Sequence, residues 1–374
     1  MRFVHYYPRA LGDSGVTVAL WAWARAMTDA GCEVAVLHAD RVERADQIGV
    51  FRDPTVGAVD VQAIPHIGSR RATFRPLGLG RYLRPNDLLI IHEGWVVSNF
   101  VAAAAANRRG IRYVATPHGV YDPLWISYLR RPRGLRRLFE RRLLENALAV
   151  HTFFETEHSA IMMLAPRARF ITVPTGFDVM PQRWIGGGGY LAWVGRYDPL
   201  HKGLDLMVEA VRAIPETERP VIKLRGYDYK GGLRTLQRAI READVGRWVQ
   251  VGGPIGGHEK QEFLLRADGA ILPSRWEAQG LALIETLALG LPNLVTSTIH
   301  MAPLLRNAGA ALIAAPEPIA LAEAMLKLPE DAATLGSNGR RFVAREFAWN
   351  RVAKDYLGQI GGLLATFDQS RRSV

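Results

Sequence analysis

The chain has 374 residues, 48% hydrophobic and 22% charged, the composition of an ordinary globular protein long enough for two domains. No stretch approaches the ~18 consecutive apolar residues of a membrane span, and the single cysteine, Cys32, excludes an internal disulfide and fits a reducing compartment. The net charge of +11 is uneven: residues 1–170 hold 23 Arg and no Lys against 15 acidic residues, with Arg130, Arg131, Arg133, Arg136, Arg137, Arg141 and Arg142 in one cluster.

From the N-terminus, Phe3-Val4-His5-Tyr6 reads as a first strand, in a segment too short and too polar for a signal peptide. A loop carrying Gly12 and Gly15 leads to a helix over 16–30, then a strand over 32–37. Strands are predicted at 87–92 and 112–116 with a helix over 97–107 between them, and further strands at 147–151 and 169–173. Pro174-Thr175-Gly176-Phe177-Asp178 and the run Gly186–Gly189 interrupt this alternation. The pattern resumes with strands at 190–195, 221–224, 249–251, 269–272, 293–296 and 311–313, and with helices over 204–213, 233–243 and 260–266. Strands alternating with helices predict parallel sheets covered on both faces. The expectation is two doubly wound, Rossmann-like α/β domains facing a central cleft, over 1–178 and 179–354, with a terminal helix at about 355–374 returning to the first domain. Ligands of such sheets sit beyond the carboxyl ends of the strands.

Two motifs in the second half carry chemistry. Ala270-Ile271-Leu272-Pro273-Ser274 is a buried strand running into a turn, followed by Glu277, Gln279, Gly280, Leu281 and, eight residues after Glu277, Glu285. A strand, a glycine-bearing loop and a helix N-terminus form an anion site, because the first N–H groups of the helix lack intrahelical partners and the dipole is positive there. Carboxylates flanking it suit hydroxyls, so the pair predicts a ligand with phosphates and hydroxyls side by side. Gly195-Arg196 ends the strand at 190–195, and Lys202-Gly203 follows six residues after the arginine, close enough for both cations to aim at one phosphate group.

Taken with Arg225-Gly226-Tyr227-Asp228, Val249-Gln250-Val251-Gly252 and Phe347-Ala348-Trp349, these motifs resemble glycosyltransferase family 4, retaining enzymes of the two-domain GT-B fold, over nearly the whole chain. The resemblance implies a retaining transferase that moves a sugar from a nucleoside-diphosphate sugar, with UDP or GDP as carrier, to a hydroxyl of a glycan, lipid-linked or small acceptor in polysaccharide or glycoconjugate synthesis. It assigns Arg196 and Lys202 to the donor diphosphate and Glu285 to the ribose. Glu277, with backbone groups at Gln279, Gly280 and Leu281, falls to the transferred sugar, and Gly195 and Gly226 to the same donor site. His118, in Thr116-Pro117-His118-Gly119, matches a histidine that reaches the donor sugar, and Gly15 a helix start facing the phosphates, although the family's adjacent glycines are here separated by Asp13 and Ser14. Glu277 orients the sugar, stabilises an oxocarbenium-like centre or acts as nucleophile; front-face attack favours orientation.

Glu93, in His92-Glu93-Gly94-Trp95, either binds an acceptor hydroxyl or is a helix N-terminal carboxylate complementing the dipole. No Asp-x-Asp occurs and the histidines lack metal-ligand spacing, so no metal or other cofactor is expected. The turn Thr296–Met301 lacks the glycine usual in the family, which bears on sugar choice or loop mobility. The Arg130–Arg142 segment is either an ordinary surface helix or a basic amphipathic helix for an anionic membrane; with few stacking aromatics it is not read as a nucleic-acid site. The expected location is cytoplasmic, with peripheral attachment to the inner face of the plasma membrane if that helix binds lipid. A non-catalytic sugar-nucleotide or glycan binder is the alternative; a nicotinamide oxidoreductase is disfavoured by the missing Gly-x-Gly-x-x-Gly.

Overall fold

A computed structural model of the protein describes residues 1–12, 14–41, 59–69, 73–128 and 134–372. The chain divides into two units, Met1–Gly176 with Trp349–Val374, and Phe177–Ala348. The change of unit therefore falls at Gly176, ahead of the expected 178, and the return at Trp349, ahead of the expected 355.

In the first unit the elements run β1 (Arg2–Tyr6), α1 (Gly15–Asp29), β2 (Glu33–Ala39), β3 (Asp60–Ile64), the short antiparallel pair β4 (His66–Ile67) and β5 (Arg75–Pro76), β6 (Leu88–His92), α2 (Val97–Arg108), β7 (Arg112–Thr116), α3 (Pro123–Tyr128), α4 (Leu135–Asn146), β8 (Ala149–Thr152), α5 (His158–Leu164) and β9 (Phe170–Thr172). Seven parallel strands take the order β3-β2-β1-β6-β7-β8-β9. Side chains alternate across a strand, and here both faces are apolar. Val4, Tyr6, Leu89 and Ile91 enter one core with the alanines of α2, while Phe3, Leu88 and Ile90 enter another with Leu20 and Trp23 of α1.

The second unit contains β10 (Leu191–Tyr197), α6 (Pro199–Lys202), α7 (Leu204–Ala213), β11 (Ile222–Asp228), α8 (Gly232–Glu242), β12 (Val249–Gly252), α9 (Gly257–Arg266), β13 (Gly269–Leu272), α10 (Leu281–Leu289), β14 (Asn293–Thr296), α11 (Ala302–Ala308), β15 (Leu312–Ala314), α12 (Pro318–Lys327) and α13 (Ala332–Glu346). Its six strands are parallel in the order β12-β11-β10-β13-β14-β15. The last helix, α14 (Trp349–Arg372), belongs to the first unit. Val352, Tyr356 and Ile360 of α14 fill the core beneath α1, and the Trp23 ring meets Trp349 edge-on at 5.2 Å and Tyr356 at 4.8 Å. A β-carbon on Gly176 would sit 2.4 Å from the Trp349 ring, so the chain leaves this unit where α14 returns to it.

Of the basic cluster, Arg130, Arg131 and Arg133 lie outside the described residues, as does Asp13. The rest is on α4, which buries Leu143 and Leu144 and exposes Leu135, Leu138 and Phe139. Its Glu140 is buried and accepts hydrogen bonds from the Trp95 backbone (2.5 Å) and the Tyr121 hydroxyl (2.7 Å), while Arg136 donates to the Trp95 carbonyl.

Candidate active site

Strand order reverses on either side of β10 and β1, between neighbours β11 and β13 in one sheet and β2 and β6 in the other. Loops leaving adjacent strands at such a point diverge to opposite faces and open a crevice for ligands. Of the residues singled out in the sequence, Arg196 lies at the end of β10, Lys202, Glu277, Gln279 and Gly280 follow β10 or β13, and Glu93 follows β6; Glu285 lies within α10, Gly195 and Gly226 within strands, and His118 beyond β7.

In the second unit, β10 delivers Arg196 and turns through Asp198 into the single turn α6, which ends at Lys202. Gly203 then takes φ 62°, a left-handed conformation costly for other residues. A β-carbon there would fall 1.8 Å from the Pro273 carbonyl oxygen, so this glycine lets the α6 turn lie against the loop after β13. Several bonds lace the two together. The Arg275 N–H donates to the His201 carbonyl (3.0 Å), and the Arg275 guanidinium pairs both oxygens of Asp205 at 2.7 Å. His201 stacks on Trp276 at 4.2 Å with the rings nearly parallel.

This lacing brings Lys202 to Glu277, with Nζ 2.5 Å from Oε1, and the Ser274 hydroxyl donates to the same oxygen at 2.8 Å. Glu277 is only 8% exposed, so its charge is compensated by the lysine, with the Ser274 hydroxyl as a hydrogen-bond donor in place of water. Arg196 donates from Nη2 to His201 Nδ1 (2.7 Å) and lies 4.6 Å from the centre of the Tyr229 ring. Because arginine only donates, His201 accepts at Nδ1 and gives its Nε2 proton to the Trp276 carbonyl (3.0 Å). Burial, then the charges of Lys202 and Arg196, hold His201 well below the usual histidine range, which keeps it neutral. A neutral imidazole thus aims the Arg196 guanidinium without adding a third positive charge.

Gly280 has φ 74° and stands at the start of α10, whose first N–H groups are unpaired by helix geometry. Glu285, one turn into α10, pairs with Lys260 of α9, Oε2 to Nζ at 2.5 Å. It borders a recess also lined by Val194, Leu272 and Thr286. Gly195 and Gly226 serve the sheet. They face each other across β10 and β11, and a β-carbon on Gly226 would lie 1.8 Å from the Gly195 oxygen. Gly15 begins α1 with open space around it, and the Ser14 hydroxyl caps the helix by accepting from the Thr17 N–H (3.1 Å). The Thr296–Met301 turn is held to the Pro273–Glu277 loop: Thr296 Oγ1 donates to the Ser274 carbonyl, the His300 N–H to the Glu277 carbonyl (3.4 Å), and Ile299 and Met301 are buried.

In the first unit, Arg9 after β1 and Glu93 after β6 meet across the reversal point, Nη2 to Oε2 at 2.5 Å. They border a small recess with Pro8, Phe74, His92 and Val96. Glu93 has φ 70° and stands ahead of the α2 cap at Val96, with its carboxylate paired to the Arg9 guanidinium. His118, after β7, has φ 55° and bonds through Nε2 to His92 Nδ1 at 2.9 Å.

Sequence reasoning missed His201, Ser274, Lys260, Arg9 and His5. His201 adjoins Lys202 and Ser274 lies inside a quoted motif, so both were in view. Lys260 is 25 residues from Glu285, and nothing in its neighbourhood marks it as a partner.

Two parallel doubly wound sheets, each with charged side chains gathered near its strand-order reversal, define an α/β protein of the doubly wound class. Residues 14–176 match the "Glycosyl transferase 4-like domain" model and residues 182–342 the "Glycosyl transferases group 1" model. The chain belongs to the glycosyltransferases of the family 4 type, with the GT-B architecture. A D-inositol 3-phosphate glycosyltransferase of Actinosynnema mirum is 27% identical over 311 residues, 74% of this chain and 73% of the relative. Among solved structures, sucrose-phosphate synthase of Thermosynechococcus elongatus superposes with a TM-score of 0.76 at 18% identity over 99% of this chain and 100% of that one. Anabaena HepE in complex with UDP-glucose gives 0.73 at 15% identity over 98% and 100%.

Proposed function

We propose that the protein is a retaining, metal-independent glycosyltransferase that takes a sugar from a nucleoside diphosphate, UDP or GDP, and transfers it to a hydroxyl of a glycan, a lipid-linked sugar or a small molecule. The observation that carries this reading is the Lys202–Glu277 pair beside Arg196 at the carboxyl ends of β10 and β13. Two fixed cations there suit a diphosphate, and the α10 start adds unpaired N–H donors. The solved HepE complex with UDP-glucose supports this class of donor.

In this reading Arg196 and Lys202 stabilise the charge that grows on the phosphate as the bond from the anomeric carbon to the phosphate oxygen breaks. The acceptor hydroxyl attacks from the same face, its oxygen bonds to that carbon, and its proton passes to the leaving phosphate. Glu277 orients the sugar; its Oε1 is engaged by Lys202 and Ser274, which disfavours a nucleophilic role. Glu285 binds the ribose hydroxyls, held in place by Lys260. His118 contacts a sugar hydroxyl, and the Arg9–Glu93 recess takes the acceptor.

A panel of UDP-, GDP- and ADP-sugars tests the reading. Turnover with at least one donor is expected. Glu285→Ala should raise the donor KM about tenfold with kcat little changed, whereas Glu277→Ala should lower kcat about 100-fold. Tight nucleotide binding with no turnover on any donor would favour a non-catalytic binder. Equal effects of both substitutions on both constants would overturn the division of roles.

A second reading concerns attachment. Among the described residues no helix is long and apolar enough to cross a membrane. The exposed Leu135, Leu138 and Phe139 of α4, with Arg137, Arg141 and Arg142 exposed on the same helix, suit peripheral binding to an anionic bilayer on the cytoplasmic side. Flotation with anionic vesicles is expected at low salt and should fall as salt rises; equal binding to neutral vesicles would sink the electrostatic account.

A further inference from the structure

Three histidines, two on the adjacent strands β1 and β6 and one just beyond the next strand β7, form a hydrogen-bonded row in the first unit. His5 of β1 bonds through Nδ1 to His92 Nε2 at 3.0 Å, and His92 of β6 bonds through Nδ1 to His118 Nε2 at 2.9 Å. Neighbouring ring centres are 5.2 Å apart in both steps, with interplanar angles of 21° and 22°, the spacing of imidazoles joined nearly edge to edge. Each link needs one proton, and a neutral imidazole has one donor and one acceptor. Neutral rings therefore allow two polarities, with all protons on Nδ1 or all on Nε2.

The inner end of the row decides between them. His5 is 1% exposed, and among the described residues its buried Nε2 has no hydrogen-bond partner. A proton on that nitrogen would be a buried N–H donor with no acceptor, and orphaned buried N–H groups are rarer in proteins than under-satisfied acceptors. The favoured polarity leaves the His5 Nε2 lone pair empty of protons. His5 then donates from Nδ1 to His92, and His92 from Nδ1 to His118.

We propose that His5 and His92 are positioning residues that fix His118 as the Nδ1–H tautomer, so that His118 offers the transferred sugar a hydrogen-bond donor and not a base. The role toward the sugar rests on the proposed transferase function; the tautomer itself does not. Among the described residues His118 Nδ1 has no hydrogen-bond partner, and the residue is partly open to solvent, so a donor at this atom is available to a ligand. Burial, ahead of the neighbouring histidines, pushes both His5 and His118 down to about 3, so the row is uncharged at neutral pH. A hydrogen-bond donor matches the reading in which the leaving phosphate receives the acceptor's proton, since no protein base is then required.

The test is nitrogen-15 NMR of the full chain labelled at histidine, which distinguishes protonated from bare ring nitrogens without any ligand. His118 is expected with its proton on Nδ1 and a bare Nε2, and His5 and His92 likewise. His118 carrying its proton on Nε2 would overturn the proposal, whatever the transferase assay shows. His92→Phe removes the donor to His118 Nε2 and should shift His118 toward the Nε2–H form with a fall in kcat of about tenfold or more. His92→Asn keeps an amide donor in that direction and should retain the Nδ1–H form and recover most of the lost turnover. If His92→Phe does not fold, the tautomer of the unsubstituted protein still decides the matter. If the tautomer is as expected but no donor turns over, the transferase reading fails and the histidine polarity stands.

Discussion

Lys202→Met is expected to lower both turnover and stability, and the two losses are separable. Glu277 is buried against Lys202, with Nζ and Oε1 2.5 Å apart and the Ser274 hydroxyl as a second partner of that oxygen. Removing the lysine strands a carboxylate in a poorly hydrated site, and breaking a buried pair from one side typically costs about 3–5 kcal/mol. The partial exposure of Lys202 places this case toward the lower end, about 3 kcal/mol, measurable as a drop in the urea midpoint at constant m-value. Turnover should fall further, by about 100- to 1000-fold, the usual effect of deleting one preorganised donor that stabilises developing charge. Adding Glu277→Gln to Lys202→Met removes the stranded charge and should restore most of the lost stability while activity stays low. If the double variant recovers neither, the pair is not the electrostatic unit described. If Lys202→Met keeps near-normal kcat, the lysine does not stabilise the leaving phosphate.

Acidification should destabilise the protein well before its carboxylates titrate. Burial holds His5 and His118 at about 3 and His151 at about 4, and lowers His92 as well. These groups are neutral in the folded chain and take up protons near pH 6.5 when it unfolds. Stability is therefore full above about pH 6.5 and is lost as pH falls toward the folded values, because the unfolded state binds more protons. Each such histidine contributes a slope of up to ~1.4 kcal/mol per pH unit within that window. Between pH 7 and 5 the sum is on the order of several kcal/mol, large against a typical folding stability of ~5–15 kcal/mol. His151 donates from Nε2 to the Val173 carbonyl (2.8 Å), and its ring meets Tyr356 of α14 at 4.9 Å, so the first unit should yield first. Urea midpoints at pH 7 and pH 5 measure the effect. Equal midpoints would show that these rings are hydrated or already charged in the folded chain.

Much of the second unit's site was legible because its parts lie on contiguous loops. Arg196, Lys202, Glu277, Gly280 and Glu285 fall within two short segments, each following an apolar run, and residue type with spacing was enough to single them out. The partners that hold them were harder to see. His201 aims Arg196, Lys260 holds Glu285, and the bonds between the 198–203 and 273–277 loops set the geometry of the pair. Lys260 and Glu285 are 25 residues apart and the two loops about 70, and even for His201, five residues from Arg196, local periodicity does not encode which groups will meet. The packing work of the glycines was also out of view: Gly195 and Gly226 allow β10 and β11 to lie close, and Gly203, named only as the neighbour of Lys202, lets two loops touch.

The alternation of strands and helices, the two-domain organisation, the motifs around Arg196, Lys202, Glu277 and Glu285 and the family 4 resemblance could be read from the chain alone, because these are carried by local apolar periodicity and contiguous residue types. Only the tertiary structure decided that Lys202 neutralises Glu277, that Arg9 claims Glu93, and that His5, His92 and His118 form one row. Strand order sets those pairings: β1 lies beside β6 and β6 beside β7, which brings residues 5, 92 and 118 into hydrogen-bonding distance across 113 positions of chain. A chain cannot announce which of its strands will be neighbours until burial of both sheet faces has chosen the order.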